Sequence, residues 1–326
     1  GTRRDGLSDS NRTATPLSGT LDATTFARLL GVSKKSMESV CGTMIARYDF
    51  RYDVLTDRAL EQIILQVLKA IDSGNFKPSG AGRRTDWEKG WQENLDAFVA
   101  SGYDIAALAP KYISKYEISR LFSRYIKPRD PMFELNFYTV YRHYLFTTFL
   151  ACADAIFEFG CGTGYNIAIM HQLFPHMRIM GLDWAESSVA IANTLGRILN
   201  APISGRSFNY FQPDFDLNFP ENSLVITLNS LEQIGQDHGA FLDFLLKKRP
   251  ALCVHAEPFV ELYDGDNLID YLAIRYHTAR NYLAGYLPAL QKLVTEGRIE
   301  IIKIHRIPFG NLFHEGYSLV IWKVTD

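Results

Sequence analysis

The chain of 326 residues has no excess of either charge, few cysteines and no long apolar run. Its formal net charge is −2, whereas a nucleic-acid-binding protein usually shows a basic stripe or a basic excess. The four cysteines lie too far apart for a CxxC pair or a zinc-ligand spacing. No window approaches 18 consecutive apolar residues, and the polar start lacks the apolar segment of a signal peptide. We therefore expect a cytoplasmic protein that binds neither nucleic acid nor a membrane.

What the sequence does contain is a change of pattern near residue 150. Residues 1–20 are predicted to be a flexible polar tail, and residues 21–150 show helical periodicity with few strand-like runs. From 151 to 326, short β-rich runs alternate with helical ones. We predict a helical N-terminal cap domain followed by an α/β domain.

Two amphipathic helices are the clearest features of the N-terminal part. Residues 56–74 place apolar side chains at helical spacing. Residues 85–102 repeat the pattern, and Thr85 with Glu88 three positions later predicts a capping box. A third, aromatic-rich helix is predicted at 134–150.

The C-terminal part predicts a mainly parallel sheet with helices on both faces, because strand and helix patterns alternate along it. The last two strands have no helix between them, which indicates an antiparallel edge. The strand-like runs are 155–160, 178–184, 223–229, 251–258, 299–307 and 317–324.

The stretch FEFGCGTGYN (157–166) ends the first of these strands in three closely spaced glycines, Gly160, Gly162 and Gly164. Glycines at such a turn let the backbone approach a ligand, and the following helix offers unpaired N–H groups. The second strand ends in Asp183, about 20 residues further on, where a carboxylate reaches the ribose of a bound nucleoside. That separation fits a nicotinamide cofactor or S-adenosylmethionine.

The glycine spacing distinguishes the two cofactors. Glu158, Gly160, Gly162 and Gly164 form E-x-G-x-G-x-G, which resembles motif I of the class I S-adenosylmethionine-dependent methyltransferases. The resemblance covers roughly residues 150–326. It implies a seven-stranded, mainly parallel Rossmann-like sheet whose last strand is antiparallel. It also implies methyl transfer from S-adenosylmethionine to an O, N or S atom, giving S-adenosylhomocysteine.

The resemblance also implies a set of cofactor-binding residues. The glycine turn would line the methionine portion, Asp183 would hold the ribose and Trp184 would lie against the adenine face. After the third strand, Asn209 is preferred over Asp214 and Asp216 for the adenine amino group. The predicted cofactor residues are Glu158, Gly160, Cys161, Gly162, Gly164, Asp183, Trp184, Asn209, Asn229 and Ser230.

Candidate catalytic residues follow the fourth and fifth strands, whose tips flank the sulfonium. Glu232 lies in a segment similar to the LEH element of many family members, although Gln233 stands where they carry histidine. His255 and Glu257 fall on one side of the fifth strand, where they either function or satisfy each other or the backbone. His277, on a later predicted helix, completes the catalytic set.

The acceptor is predicted to be a small polar metabolite, in one reading a carboxylate. Arg280 and Tyr276 share a predicted helix and would grip such a group, unless that face is simply solvated. Tyr138 and Arg142 precede the first strand and are candidates at the cofactor mouth. Magnesium would require more clustered carboxylates, so no metal is expected. The helical cap would cover the acceptor pocket or build a homodimer.

Two other readings remain open. Residues 26–40 resemble a helix-turn-helix, with Gly31 at the turn and Ser33 capping the second helix, which would suit a DNA-binding regulator. A non-catalytic S-adenosylmethionine-binding partner protein would share the fold without the reaction.

Overall fold

The computed structural model describes residues 17–326, and the first sixteen residues of the predicted tail lie outside the described residues. Ser18–Thr20, placed in that tail by the sequence analysis, instead form a strand. The α-helices are α1 Ala23–Leu30, α2 Lys34–Arg47, α3 Asp57–Asp72, α4 Arg84–Ala100, α5 Phe133–Phe149, α6 Tyr165–Leu173, α7 Glu186–Ile198, α8 Gly239–Lys248, α9 Leu268–Ala279 and α10 Tyr286–Thr295.

The strands fall into two sheets. They are β1 Ser18–Thr20, β2 Arg51–Val54, β3 Ser119–Leu121, β4 Arg124–Pro128, β5 Ala155–Phe159, β6 Arg178–Asp183, β7 Ile203–Ser207, β8 Ser223–Leu228, β9 Leu252–Glu257, β10 Ile299–His305, β11 Phe309–Gly310 and β12 Ser318–Val324.

The larger sheet has seven strands in the order β10-β12-β9-β8-β5-β6-β7. The pairs among β5 to β9 are parallel, and β12 is antiparallel to both of its neighbours. The predicted seven-stranded, mainly parallel sheet with an antiparallel last strand is confirmed. Strand order reverses between β5 and β8, which is where open α/β sheets bind ligands at the carboxyl ends of their strands.

The N-terminal part is not only helical. It contributes four strands to a five-stranded sheet of order β1-β2-β4-β3-β11, which the sequence analysis did not predict. The fifth strand, β11, comes from the connection between β10 and β12 and pairs with β3. The two parts of the chain therefore share a sheet. The predicted domain boundary at residue 150 stays a prediction, and the small sheet contains strands from both sides of it.

One local prediction on helices is wrong. Thr85 makes no capping bond because α4 already begins at Arg84, and the Glu88 carboxylate instead accepts the backbone N–H groups of Glu186 and Ser187 at the start of α7. The helix-like segment that begins at residue 268 forms two helices, with a break between α9 and α10 that includes Gly285 at φ 82°.

The first two helices have the local geometry expected from the sequence. Gly31 adopts a left-handed conformation at the turn, and the Ser33 hydroxyl accepts the N–H of Ser36 at the start of α2. Met37, Cys41 and Ile45 of α2 are buried in the main core. None of the helices between residues 17 and 326 combines the length and the apolar composition that crossing a bilayer requires.

Candidate functional site

A cavity of about 340 Å³ opens at the carboxyl ends of β5, β6 and β8. Its floor is the glycine turn after β5, and its walls come from both parts of the chain. Several buried polar atoms in its lining have no hydrogen-bond partner within residues 17–326. They are Trp87 Nε1, Asn229 Oδ1, Glu232 Oε2, Gln233 Oε1, Arg280 Nε and His314 Nε2. Unpaired polar groups facing one cavity indicate a polar ligand.

The glycine turn has the backbone that only glycine adopts readily. Gly160, Gly162 and Gly164 have φ values of 71°, 50° and 73°. A Cβ added at Gly160 would overlap Ser230, and one added at Gly162 would lie 3.2 Å from the Trp91 ring. The turn therefore presents bare backbone to the cavity and leaves no room for a side chain.

Asp183 holds the turn from the neighbouring strand. Its carboxylate accepts the N–H groups of Gly162 at 3.0 Å and Ala185 at 2.9 Å, one on each oxygen. Burial raises the pKa of Asp183 to about 6, although these two amide bonds oppose the rise. Each oxygen keeps a lone pair, and Asp183 lines the cavity, so a vicinal diol can donate to it.

Glu158 and Arg142 meet through one asparagine beneath the turn. Asn166 Nδ2 donates to Glu158 Oε1 at 2.8 Å, and Arg142 Nε donates to Asn166 Oδ1 at 2.6 Å. Glu158 is fully buried, and burial raises its pKa to about 8. Arg142, predicted to bind the acceptor, is thus tied to the cofactor motif and is not part of the cavity lining.

Aromatic side chains line the region beyond Asp183. The rings of Trp184 and Phe211 lie 6.1 Å apart at 41°, and both line the cavity. Asn209 does not line it, because its Oδ1 accepts the N–H of Phe211 and closes a turn. The structure places Trp184 where the sequence analysis expected an aromatic surface, and adds Phe211, which that analysis missed.

Ser230 and Cys161 serve the packing of the turn. The Ser230 hydroxyl donates to the Phe159 carbonyl and lies 2.8 Å from the Tyr210 hydroxyl. Cys161 is buried, its Sγ lies 3.3 Å from Ser188 Oγ, and burial raises the pKa of its thiol. Both residues line the cavity, as Asn229 also does.

His255 is a buried core residue and not a catalytic one. Trp322 Nε1 donates to His255 Nε2 at 3.0 Å, so Nδ1 carries the proton and donates to Thr227 Oγ1 at 2.9 Å. The Tyr286 hydroxyl also lies 3.0 Å from Nε2. Burial lowers the pKa of His255 to about 3, so the ring stays neutral. The sequence analysis assigned it to catalysis because a polar side chain in a strand is costly unless paired, and here it is paired.

Glu257 is likewise structural. Its carboxylate accepts the N–H of Ser230 at 2.5 Å and also that of Leu231, which caps the short 3-10 helix 231–234. It is fully buried, and burial raises its pKa well above the usual range. The predicted catalytic role of Glu257 is not supported, because the carboxylate faces backbone and not the cavity.

His277 is also displaced from the predicted catalytic set. Its Nε2 donates to the carbonyl of Leu283 at 2.6 Å, across the break between α9 and α10. Burial lowers its pKa to about 4. It does not line the cavity.

The remaining predicted residues do come together in the cavity. Glu232, Tyr276 and Arg280 line one end, and Tyr138 lies in the wall beside Tyr317, at 4.4 Å between ring centroids. The Arg280 guanidinium lies 5.3 Å from the Tyr282 ring. These side chains, here called the polar end, line the same cavity as the aromatic pair beyond Asp183.

His314 is a residue of this end that the sequence analysis missed. Its Nε2 lies 3.5 Å from Glu232 Oε2, and its ring lies 5.2 Å from that of Tyr276. It belongs to the segment GNLFHEG between β10 and β12, in which a Cβ added at Gly310 would overlap the His314 carbonyl oxygen. A histidine between two glycines in a strand connection was the only signal.

The N-terminal part closes the cavity with helix α4. The stacked rings of Trp87 and Trp91 line it, with centroids 5.1 Å apart. The helix is held there by Glu88 on the start of α7 and by Arg84, which donates to the Trp184 carbonyl at 3.0 Å. The position of α4 agrees with the predicted cap over the pocket.

No group of three or more His, Cys, Asp and Glu side chains that could hold a metal ion occurs within residues 17–326.

Sequence relatives of known function are methyltransferases. Malonyl-[acyl-carrier protein] O-methyltransferases of Bacillus cereus and Bacillus anthracis are 33% and 44% identical to this chain over 81 residues, and each alignment covers 24% of this chain and 30% of the relative. That of Bacillus cytotoxicus is 32% identical over 94 residues, which is 29% of this chain and 25% of the relative. The chain thus spans less than a third of the length of these relatives.

Solved structures show only distant likeness. The geranyl diphosphate C-methyltransferase of Streptomyces coelicolor A3(2) matches 76% of this chain and 100% of its own, with 14% identity and a TM-score of 0.47. The pyocyanin biosynthetic protein PhzM matches 93% and 88%, with 12% identity and a TM-score of 0.40. Values this low do not identify a family, and no family model matches the sequence. The predicted resemblance to class I methyltransferases is confirmed by the strand order of the sheet and by the aligned methyltransferases.

Proposed function

We propose that this chain is an S-adenosylmethionine-dependent methyltransferase that acts on a small polar acceptor enclosed between the α/β sheet and helix α4. The observation that supports it most directly is that the bare glycine turn and Asp183 open onto the same cavity as the unpaired polar atoms of Glu232, Arg280 and His314. A cofactor site and an acceptor site are therefore continuous.

The residues fit the cofactor by chemistry as well as by position. The left-handed glycines leave space that a Cβ would fill, and the Asp183 carboxylate has lone pairs for two ribose hydroxyls. Trp184 and Phe211 offer flat surfaces for adenine. Glu158 Oε2, which has no hydrogen-bond partner in the described part of the chain, adds an acidic group beneath the turn.

When bound, S-adenosylmethionine supplies a methyl group on a positively charged sulfur, which a nucleophile displaces in line. The protein's contribution is to hold the acceptor near that methyl and to exclude water. Trp87, Trp91 and Tyr112 cover the cavity on the side of the N-terminal part. Asn229, with its unpaired Oδ1, lines the same cavity.

Calorimetric titration with S-adenosylhomocysteine tests the cofactor site. We expect Gly162→Val to abolish binding, because a side chain there meets Trp91 and fills the turn. Gly297→Val is the matched control, since Gly297 has a φ of 74° and nothing within 4 Å of its would-be Cβ. An equal dissociation constant for Gly162→Val and the wild type would remove the turn from the site.

Binding alone does not establish catalysis. Transfer of labelled methyl from S-adenosylmethionine to an acceptor, with release of S-adenosylhomocysteine, separates an enzyme from a non-catalytic binding protein. The relatives named above are O-methyltransferases of malonyl-[acyl-carrier protein].

A further inference from the structure

We infer that Glu232 and His314 form the proton-accepting pair of the acceptor site, and that the acceptor is an aromatic acid whose nucleophile carries a hydrogen, a hydroxyl or an amine. This inference rests on the proposed function and specifies its acceptor. The sequence analysis named Glu232 as a catalytic candidate, but it identified neither His314 nor the pairing of the two residues.

The tautomer of His314 follows from its neighbour. Asn311 Oδ1 accepts the N–H groups of Phe313 at 2.8 Å and His314 at 3.1 Å, so it is an oxygen and can only accept. His314 Nδ1 lies 3.4 Å from the same atom and is therefore the donor. Neutral His314 then carries its proton on Nδ1 and a lone pair on Nε2.

That lone pair faces a second acceptor. His314 Nε2 lies 3.5 Å from Glu232 Oε2, and neither atom has a hydrogen-bond partner within the described chain. Both residues are buried, with 7% and 5% of their surface exposed. While His314 is neutral, two buried acceptors this close together are costly unless a donor group beside them supplies a hydrogen. A ligand O–H or N–H group is such a donor, whereas a carboxylate, a thioether or a tertiary amine is not.

Arg280 supplies a positive charge that would bind an acidic group of the acceptor. Its Nε is buried and has no partner among residues 17–326, and its guanidinium lies between the rings of Phe76 at 5.8 Å and Tyr282 at 5.3 Å. The ring of Tyr282 also lies 5.7 Å from the His314 ring, so one aromatic ring lies near both Arg280 and His314. A guanidinium with free donors pairs well with a carboxylate.

The part of the acceptor that joins its acidic group to its nucleophile is inferred from the aromatic side chains near Arg280 and His314. Tyr276, Tyr282, Phe76 and Tyr116 line the cavity there, and Tyr276 stacks on Phe313 at 4.9 Å. Flat aromatic walls favour a flat apolar ligand body. We therefore choose a benzene ring as the probe scaffold.

The proposed step transfers one methyl group and releases one proton. The acceptor oxygen or nitrogen forms the new bond to the methyl carbon, the S–CH₃ bond breaks, and its electron pair stays on sulfur. The acceptor's hydrogen passes as a proton to His314 Nε2, where the Glu232 carboxylate stabilises the imidazolium. The proton leaves to solvent with the product.

Binding of matched probes tests this inference without turnover. We would titrate the protein saturated with S-adenosylhomocysteine with 4-hydroxybenzoate, 4-aminobenzoate, 4-methoxybenzoate and benzoate. We expect 4-hydroxybenzoate or 4-aminobenzoate to bind at least about tenfold more tightly than the two probes that lack a donor, and the better of the two identifies the class of nucleophile. Equal affinities for all four probes, or no binding of any of them, would overturn the inference.

Variants locate the effect. Glu232→Gln and His314→Phe should each remove the preference for the donor-bearing probes and lower methyl transfer to the preferred one by about 100-fold or more, with the affinity for S-adenosylhomocysteine unchanged. His171→Gln, a histidine on α6 outside the cavity, is the control and should change neither. If both variants keep the preference and the rate, the pair is not the proton acceptor.

The two proposals fail differently. If the wild-type protein does not bind S-adenosylhomocysteine, the proposed function is wrong. If it binds S-adenosylhomocysteine but does not distinguish the four probes, only the acceptor inference is wrong.

Discussion

At the scale of single residues, Asp183 carries a prediction about cofactor affinity. Its carboxylate already accepts two backbone amides and would accept the ribose hydroxyls in addition. We expect Asp183→Ala to weaken S-adenosylhomocysteine binding by about 2 kcal/mol, since charge-assisted hydrogen bonds are lost. Calorimetry measures this, with Asp214→Ala as a control because Asp214 pairs with Arg206 at 2.5 Å and lies outside the cavity lining. A loss below twofold would contradict the ribose assignment.

The same carboxylate predicts a pH dependence. The pKa of Asp183 is raised to about 6, so in the free protein ionisation of Asp183 costs stability as the pH rises towards that value. Ribose hydroxyls donate best to the ionised carboxylate. The affinity for S-adenosylhomocysteine should therefore be at its maximum above pH 7 and fall by about tenfold per pH unit below about 6. Titrations at pH 5 and 7.5 check it. Asp183→Asn should lose this dependence, while a slope that persists in the variant would assign it to another group.

Replacing His255 should lower the stability of the protein without changing its affinity for the cofactor. Replacing it by leucine leaves Trp322 Nε1 and the hydroxyls of Thr227 and Tyr286 without their buried partner. We expect the free energy of unfolding to fall by about 3 kcal/mol or more, because each unsatisfied buried group costs about 1–3 kcal/mol. Urea unfolding measures this, and calorimetry at 15 °C should give an unchanged affinity for S-adenosylhomocysteine. A lost affinity at unchanged stability would restore His255 to the site.

The sequence predicts individual residues well where the backbone demands one residue type. The left-handed turn at Gly160, Gly162 and Gly164 could be predicted because no other residue suits it, and the place of Asp183 beside it because one helix and one strand set that distance. Their role in binding a cofactor stays a prediction. Glu257 and His255 were assigned wrongly because their partners, the amides of 230–231 and Trp322, come from other strands and loops. Sequence distance does not show such contacts.

At the scale of elements, the contact of α4 with α7 predicts how the cavity stays closed. Glu88 accepts the N–H groups of Glu186 at 2.6 Å and Ser187 at 2.9 Å, at the positive end of α7. Glu88→Gln should cost about 1 kcal/mol at this contact and weaken S-adenosylhomocysteine binding by about fivefold, since α4 carries Trp87 and Trp91.

Hydrogen exchange shows whether that loss is local. We expect faster exchange in α4 and in the first turn of α7 for Glu88→Gln, with the strands of the large sheet unchanged. Glu93→Gln is a control on the same helix, because the Glu93 carboxylate lies 3.9 Å from Lys111 at the surface. Uniformly faster exchange would instead indicate a loss of global stability.

The same helix shows what a sequence pattern can and cannot predict for an element. The periodicity of 85–102 correctly indicated a helix, but the Thr85–Glu88 pattern indicated the wrong partner, because a tertiary contact competes with a local cap. Strands of two to five residues in the N-terminal sheet were missed because they are too short to show alternation. The break between α9 and α10 lies within a continuous helix-like pattern, in which Gly285 and Pro288 are the sequence signals of an interruption.

At the scale of the whole molecule, the question is whether the N-terminal part and the α/β part unfold separately. Two features join them. Strand β11 pairs with β3 of the small sheet, and Ser123, in the turn between β3 and β4, donates to Asp270 of the α/β part. The Arg306 guanidinium is bidentate to both Asp270 and Glu315 at 2.6–2.8 Å, and it also lies 3.3 Å from Ser123 Oγ. The cavity is lined by residues of both parts, so these contacts hold its two walls together.

We predict one cooperative unfolding transition. Since β11 and Arg306 connect both sheets through the segment that carries His314, the N-terminal part should not melt before the rest. Differential scanning calorimetry should give a single peak whose calorimetric and van't Hoff enthalpies agree.

Arg306→Met should destabilise the protein by about 3–5 kcal/mol, because it leaves Asp270 buried without its charge partner, and should split the peak in two. Lys323→Met is the control, since the Lys323 ammonium lies 3.6 Å from Glu300 in an exposed pair that contributes little. Two separate transitions in the wild-type protein would show that the parts fold independently, and the position of His314 would then depend on how they dock.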